Sequence, residues 1–266
     1  MAAGFKSVPL AASQKPGASV LVAGATGGVG QRLTTRLLEA GYQVRIVTRN
    51  PEKAADLFGR DNPNLEILSH DLGNFEEVQA CMEGMDGVFC LVGTTAFPTD
   101  RWSRGQTAEQ SCDVVPQNLI KATPKTIQRF VMVTSAGVER VKQIPYNILN
   151  TFKVLTYKRK AEETLMDSGL PFTIFRPDRL TDGPWTSTDL NTLLKADTKG
   201  TKKGVKLSLQ DDLGQGQASR ITVAEACMQC LAIKDTENRA YAITSTEDEG
   251  PETDRKKWEQ MFASLA

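Results

Sequence analysis

The sequence predicts an α/β fold in which a doubly wound parallel sheet carries helices on both faces, followed by a smaller C-terminal region of different organisation. Three observations predict it. From Ala18 to Arg176, short β-branched runs alternate with helical patterns. The first strand turns into the first helix through a glycine-rich segment, GATGGVG at 24–30. Beyond Arg176 the alternation breaks down, with Pro177, Gly183 and Pro184 punctuating a loop around Trp185. A chain of 266 residues fits one domain with an added region. We therefore expect a short leader at 1–18 and a single unit at 19–266.

Each element has its own signal. VLVA at 20–23 is the first strand, and 28–40 is a helix with Val29, Leu33, Leu37 and Leu38 at helical spacing and Gly41 as its stop. VRIVT at 44–48 is the second strand, and Pro51 opens a helix at a position where proline is tolerated. The third strand is 65–69, and Asn74 with Glu77 three residues later forms a capping-box pattern for the next helix. The fourth strand is 88–92, and a polar stretch through Trp102 precedes a helix over about 107–122. FVMVT at 130–134 is the fifth strand, 152–167 a helix stopped by Gly169, and 172–175 the sixth strand. Later elements are a helix at 190–196, a Lys/Gly-rich loop, the strand VKLSL, a helix at 223–232 capped by Thr222, a strand at 241–244 and a helix around Trp258.

Bulk properties exclude several classes. The formal net charge is zero, with 40% hydrophobic and 24% charged residues, so no nucleic-acid surface is indicated. No apolar run approaches the ~18 residues of a bilayer span. Five cysteines, an odd number, argue against a disulfide framework. Cys227 and Cys230 form a Cys-x-x-Cys pair inside a helix, where packing is the expected role and no second pair completes a zinc site. Lys195, Lys199, Lys202, Lys203 and Lys206 give a solvated loop or an anionic-partner surface. Residues 1–18 lack acidic residues and carry Lys6 and Lys15, which fits either a flexible leader or a transit-peptide remnant.

The glycine-rich turn carries the chemistry. Its position between strand and helix is that of a Rossmann-type dinucleotide loop. Gly24 permits the tight turn, Gly27 lets backbone N–H groups approach a pyrophosphate, and Gly30 brings helix and strand together, with Thr26, Gly28 and Val29 completing the cradle. The second strand ends in Thr48-Arg49-Asn50 without a carboxylate. A guanidinium there pairs with a ribose 2′-phosphate that a carboxylate would repel, so NADP(H) is the expected cofactor, with Lys53 assisting.

GATGGVG, VTRNPEK, HDL at 70–72, VTSAG at 133–137, YKRKAEETLMDSGLPFTIFRP and the RLTDGPW after it resemble the atypical short-chain dehydrogenase/reductases of the NAD(P)-binding, NmrA-like type. Plant chloroplast and cyanobacterial members are the most similar, and a chloroplast location follows from that likeness. The resemblance implies that Asp71 and Leu72 flank the adenine, that Gly93 and Thr94 lie beside the ribose chain, and that Ser135, Lys158 and Pro177 border the nicotinamide. A turn or helix-capping role is the alternative for Asp71. His70, the one histidine, falls on the adenine side.

Members of that superfamily pair tyrosine with lysine four residues later, on one helix face. No tyrosine here has that partner: the family pattern puts Lys158 at the ribose-binding lysine and Val154 where tyrosine would stand. Tyr157 with Lys160 is a shifted candidate, and Ser135 either bonds a substrate carbonyl or forms a turn. Isoflavone-reductase-like relatives also lack the tyrosine and keep a lysine. The expected substrate region is formed mainly by 94–106, with Phe97 and Trp102, and by 178–220, with Trp185. Two expectations follow: an NADPH-dependent reductase acting on a carbonyl or activated double bond of a small apolar compound, or a non-catalytic NADP(H)-binding sensor, assembly factor or scaffold with a protein partner. An isomerase using bound NADP is a third.

Overall fold

The computed structural model describes residues 17–181, 204–214 and 216–265. An eight-stranded sheet runs in the order β3-β2-β1-β4-β5-β6-β10-β8. Its strands are β1 (Ser19–Ala23), β2 (Gln43–Thr48), β3 (Leu65–Ser69), β4 (Gly87–Cys90), β5 (Arg129–Val133), β6 (Phe172–Pro177), β8 (Gly204–Ser208) and β10 (Arg239–Thr246). All pair in parallel except β8, which runs antiparallel to β10 at the edge. A second sheet, missed in the sequence, pairs β7 (Arg179–Thr181) with β9 (Gln217–Ser219) in parallel. Three-residue strands show no alternation to detect.

The helices are α1 (Gly28–Glu39), α2 (Pro51–Phe58), α3 (Phe75–Ala80), α4 (Asp100–Ser103), α5 (Val115–Ala122), α6 (Tyr146–Leu149), α7 (Val154–Met166), α8 (Arg220–Cys230) and α9 (Arg255–Ala263). Alternate strand residues feed two cores. Val20 and Val22 pack towards α1, α8 and α9 with Leu33, Leu37, Val223, Trp258 and Phe262. Leu21 and Ala23 pack towards α3, α5 and α7 with Val78, Leu119 and Leu165. Burial on both faces explains why the strands are continuous apolar runs.

Four local expectations are corrected. The helix expected over about 107–122 contains a π-helical turn at Gln110–Val114, because Pro116 supplies no N–H to the preceding turn. The helix expected from Phe152 begins at Val154, where Asn150 Oδ1 accepts from the Thr156 N–H at 3.0 Å. Ser219, not Thr222, caps α8; the Thr222 N–H donates to Ser219 Oγ at 3.3 Å. Glu77 reaches past Asn74 to the Asp71 N–H, 2.7 Å away, while Asn74 caps α3 itself. Trp185, the helix at 190–196 and the lysines before Gly204 lie outside the described residues.

Candidate cofactor and substrate site

At the β1–α1 junction the backbone leaves little choice of residue. Gly24 has φ +88°, and a Cβ there would sit 2.7 Å from the Leu91 carbonyl oxygen. The Gly27 N–H closes the turn onto Gly24 O at 3.0 Å, and a Cβ on Gly30 would fall 2.1 Å from that same oxygen. Gly27 caps α1 without a side-chain hydrogen bond and no acidic residue occupies the first turn. By contrast, Asn50, Asn74, Ser219 and Asp254 side chains cap α2, α3, α8 and α9. The first N–H groups of a helix have no acceptor within it, so α1 presents its donors and dipole to an anion. Thr26 and Gly28 border this cradle, Val29 is buried beneath it, and Gln31 Nε2 braces it by donating to Thr26 O at 2.8 Å.

Beyond the end of β2, Arg49 is exposed and donates to Arg104 O at 3.2 Å, which carries it towards the loop after β4. Lys53 Nζ reaches across to Thr26 O at 3.4 Å. Lys53 thus stands beside the glycine loop, and Arg49 lies against the segment after β4. Asp71 Oδ1 accepts from the Gly73 N–H at 2.9 Å, forming a turn, and Asn118 Nδ2 holds Leu72 O and Gly73 O at 3.1 Å each. Gly93 is exposed with open space where a Cβ would point, and Thr94 Oγ1 donates to Gln106 O at 2.7 Å. His70 follows edge strand β3, at the far end of the parallel run from β6, with Nδ1 3.3 Å from Glu77 Oε2.

The opposite end is built on buried charge. Glu162 is fully buried and receives Arg176 Nε and Nη2 at 3.0 and 2.7 Å, together with the Thr134 hydroxyl at 2.5 Å. Lys158 Nζ donates to Thr134 O at 2.8 Å, so the segment leading to Ser135 is gripped through its side chain and its carbonyl. Ser135 Oγ donates only to the adjacent Ala136 O, at 3.1 Å, and the Ala136 N–H donates to Pro177 O at 2.9 Å. Burial lowers the Lys158 amine from its ordinary value, opposed by Cys112 and Glu162. Asp178, next to Pro177, is buried, and that burial raises its carboxyl despite hydrogen bonds from Thr244 and the Gly216 N–H. Glu162, Arg176 and Asp178 were missed in the sequence. The signal available was a guanidinium and a carboxylate at the end of an otherwise apolar strand, FTIFRPD.

Val154 is buried with Ala108 and Cys112, and Trp102 and Tyr157 pack against that cluster. Lys160 turns to Asp113 Oδ2 at 2.6 Å, so the structure pairs it with the π-helical turn. Phe152 meets Phe97 and Trp102 edge-on, with centroids 5.9 and 5.6 Å apart. The loop after β4 and the entry to α7 therefore share an aromatic wall, to which Phe152 is an addition. Cys227 and Cys230 are buried free thiols in α8, with Cys230 pushed up to about 12 by burial. Among the described residues no cluster suits a metal ion, and no helix is long and apolar enough to cross a membrane.

The order β3-β2-β1-β4-β5-β6, with the glycine loop at the switch point between β1 and β4, defines a Rossmann-type dinucleotide-binding protein. Residues 24–234 match the NAD(P)H-binding family, and the chain belongs to it. Protein TIC 62, chloroplastic, of Pisum sativum is 32% identical over 237 residues, covering 83% of this chain and 41% of that protein. The chain thus spans about two fifths of that relative's length. Sanguinarine reductase of Eschscholzia californica is 28% identical over 280 residues, covering 93% of this chain and 96% of the enzyme. A solved Bacillus halodurans protein described as an NAD-dependent epimerase/dehydratase has a TM-score of 0.71 at 23% identity, covering 92% of this chain and 100% of that one, a likeness of fold.

Proposed function

We propose that the protein is an NADPH-dependent reductase acting on a carbonyl or activated double bond of a small apolar compound. The observation that carries this reading is Lys158 held on Thr134 O beside Ser135, two strands along the sheet's carboxyl edge from the uncapped α1, on the side away from Arg49. In this arrangement Gly24, Gly27 and Gly30 take the pyrophosphate, Arg49 and Lys53 the 2′-phosphate, Asp71 and Leu72 the adenine, and Gly93 and Thr94 the ribose chain. Ser135, Lys158 and Pro177 border the nicotinamide. Bound NADPH supplies the hydride. Ser135 Oγ orients the acceptor oxygen, and Lys158, Tyr157 or water delivers the proton. The aromatic wall of Phe97, Trp102 and Phe152 fits an apolar or conjugated acceptor. The similarity to sanguinarine reductase over nearly the full length of both chains supports reduction.

A second reading is favoured by Val154, apolar and buried at the family's tyrosine position, and by the similarity to TIC 62. On it the protein binds NADP(H) without turnover and serves as a sensor, assembly factor or scaffold for a protein partner. Relatives named chloroplastic support a chloroplast location for either. Titration with NADPH and NADH, followed by mixing with quinones, enones and aldehydes while nicotinamide absorbance is monitored, separates them. Tight NADPH binding with oxidation by any acceptor supports the reductase. Binding without oxidation moves the assignment to the second reading, and no binding removes both.

A further inference from the structure

The phosphate loop has a second glycine beside Gly27 whose reason lies elsewhere in the chain. A Cβ on Gly28 would fall 2.7 Å from Arg220 Nε and 2.8 Å from its Cδ. The Arg220 arm therefore lies across the first residue of α1, in the space a side chain at 28 would fill. Arg220 is the first residue of α8, is 5% exposed, and belongs to the helix that packs along α1. The loop itself, Gly24 to Gly30, contains no basic residue. A pyrophosphate brings two negative charges to the uncapped N–H groups of α1, and a guanidinium is the side chain best shaped to meet them.

We infer that Arg220 is a pyrophosphate-positioning residue of the cofactor site, delivered from the C-terminal region through the gap left by Gly28. This rests on the NADP(H)-binding reading above. It assigns α8 a binding role and makes Gly28 the residue that admits the guanidinium. It also ties the C-terminal region to cofactor occupancy, because the contact crosses from α8 to the β1–α1 loop.

Calorimetric titration of the wild-type chain and of Arg220→Met and Arg220→Lys with NADPH and with adenosine 2′-monophosphate tests it. The second ligand keeps the adenine and 2′-phosphate and lacks the pyrophosphate. Arg220→Met keeps an apolar arm over Gly28 and removes the charge. NADPH affinity is expected to fall about tenfold or more, the size of one charge-assisted pair. Adenosine 2′-monophosphate affinity should be unchanged, and Arg220→Lys should recover part of the NADPH loss. Equal loss for both ligands, or NADPH affinity within twofold of wild type in Arg220→Met, overturns the inference while leaving NADP(H) binding intact. Failure of the wild-type chain to bind NADPH overturns the binding reading and this inference with it. Should Arg220→Met fold poorly, Gly28→Ala provides the second route. Its methyl displaces the arm, and it should weaken NADPH by a similar factor, with a normal unfolding transition; NADPH affinity within twofold of wild type in that variant overturns the inference.

Discussion

Replacing Glu162 with Gln tests how the segment leading to Ser135 is held. The carboxylate accepts two N–H bonds from Arg176 and one O–H bond from Thr134, and Arg159 Nη1 lies 3.2 Å away. Glu162 and Arg176 side chains are 0% and 2% exposed. Glutamine conserves shape but turns one acceptor into a donor facing a donor and leaves the guanidinium without its buried counter-charge. Removing one partner of a buried pair costs about 3–5 kcal/mol. Glu139 Oε1 stays within 2.9 Å of Arg176 Nη2, which places the expected loss at the lower end, about 3 kcal/mol. An unfolding entropy of about 2.1 cal/mol/K per residue, taken over 266 residues, converts this to a fall in Tm of about 5 °C. Differential scanning calorimetry at neutral pH measures it. The Glu162→Leu/Arg176→Met pair should return to within about 1 kcal/mol of wild type, since apolar replacement removes both desolvation penalties. A single variant that melts within about 1 °C of wild type, or a double variant worse than the single, would refute the reasoning that a stranded Arg176 charge sets the cost.

Three further outcomes are expected. Arg49→Asp replaces a guanidinium with a repelling charge, and should shift the NADPH:NADH affinity ratio by more than ~2 kcal/mol, about thirtyfold; an unchanged ratio by calorimetry would place the 2′-phosphate elsewhere. Gly30→Ala forces a Cβ to 2.1 Å from Gly24 O, backbone against backbone, so urea unfolding should show a loss of about 2 kcal/mol or more together with lost NADPH binding. Burial lowers Lys158 in the folded chain, so between that lowered value and 10.5 the unfolded chain binds more protons and stability rises with pH. Lys158→Met should flatten this rise in urea unfolding followed across the alkaline range, and parallel wild-type and variant curves would contradict it.

The glycine turn and the end of the second strand were legible because their requirements are local. GATGGVG states its turn, its close approach and its helix within seven consecutive residues, and Arg49 follows from the last residue of one strand. The parallel sheet was legible because strands buried on both faces are written as unbroken apolar runs. What escaped detection depends on residues far apart in sequence. Arg176 and Glu162 look like isolated charges until β6 and α7 are stacked on one face, and Arg220 looks like a helix-surface residue until α8 lies along α1. Pro116 was read through as part of one helix over about 107–122, and the π-turn before it, which carries Asp113 towards Lys160, went undetected. The cap of α8 was misplaced because Ser219 and Thr222 are both capping residues, and only the β9 ending decides between them.

On the reductase reading proposed above, the missing tyrosine constrains the kind of acceptor that would fit. With Val154 closed into an apolar cluster, no phenol occupies the place from which the superfamily protonates a substrate oxygen. Tyr157 packs its ring against that same cluster, and the Lys158 amine one turn on is engaged by Thr134 O. Desolvation makes it a better acid than a lysine in water, yet releasing its proton while it holds the carbonyl costs alignment of the segment that carries Ser135. A simple ketone needs its proton as the hydride arrives, because the bare alkoxide is too basic to persist. A quinone or enone spreads the new charge over a conjugated system and tolerates a later proton from water. The proposed site therefore favours conjugated acceptors over isolated carbonyls, and the aromatic wall of Phe97, Trp102 and Phe152 suits the same shape.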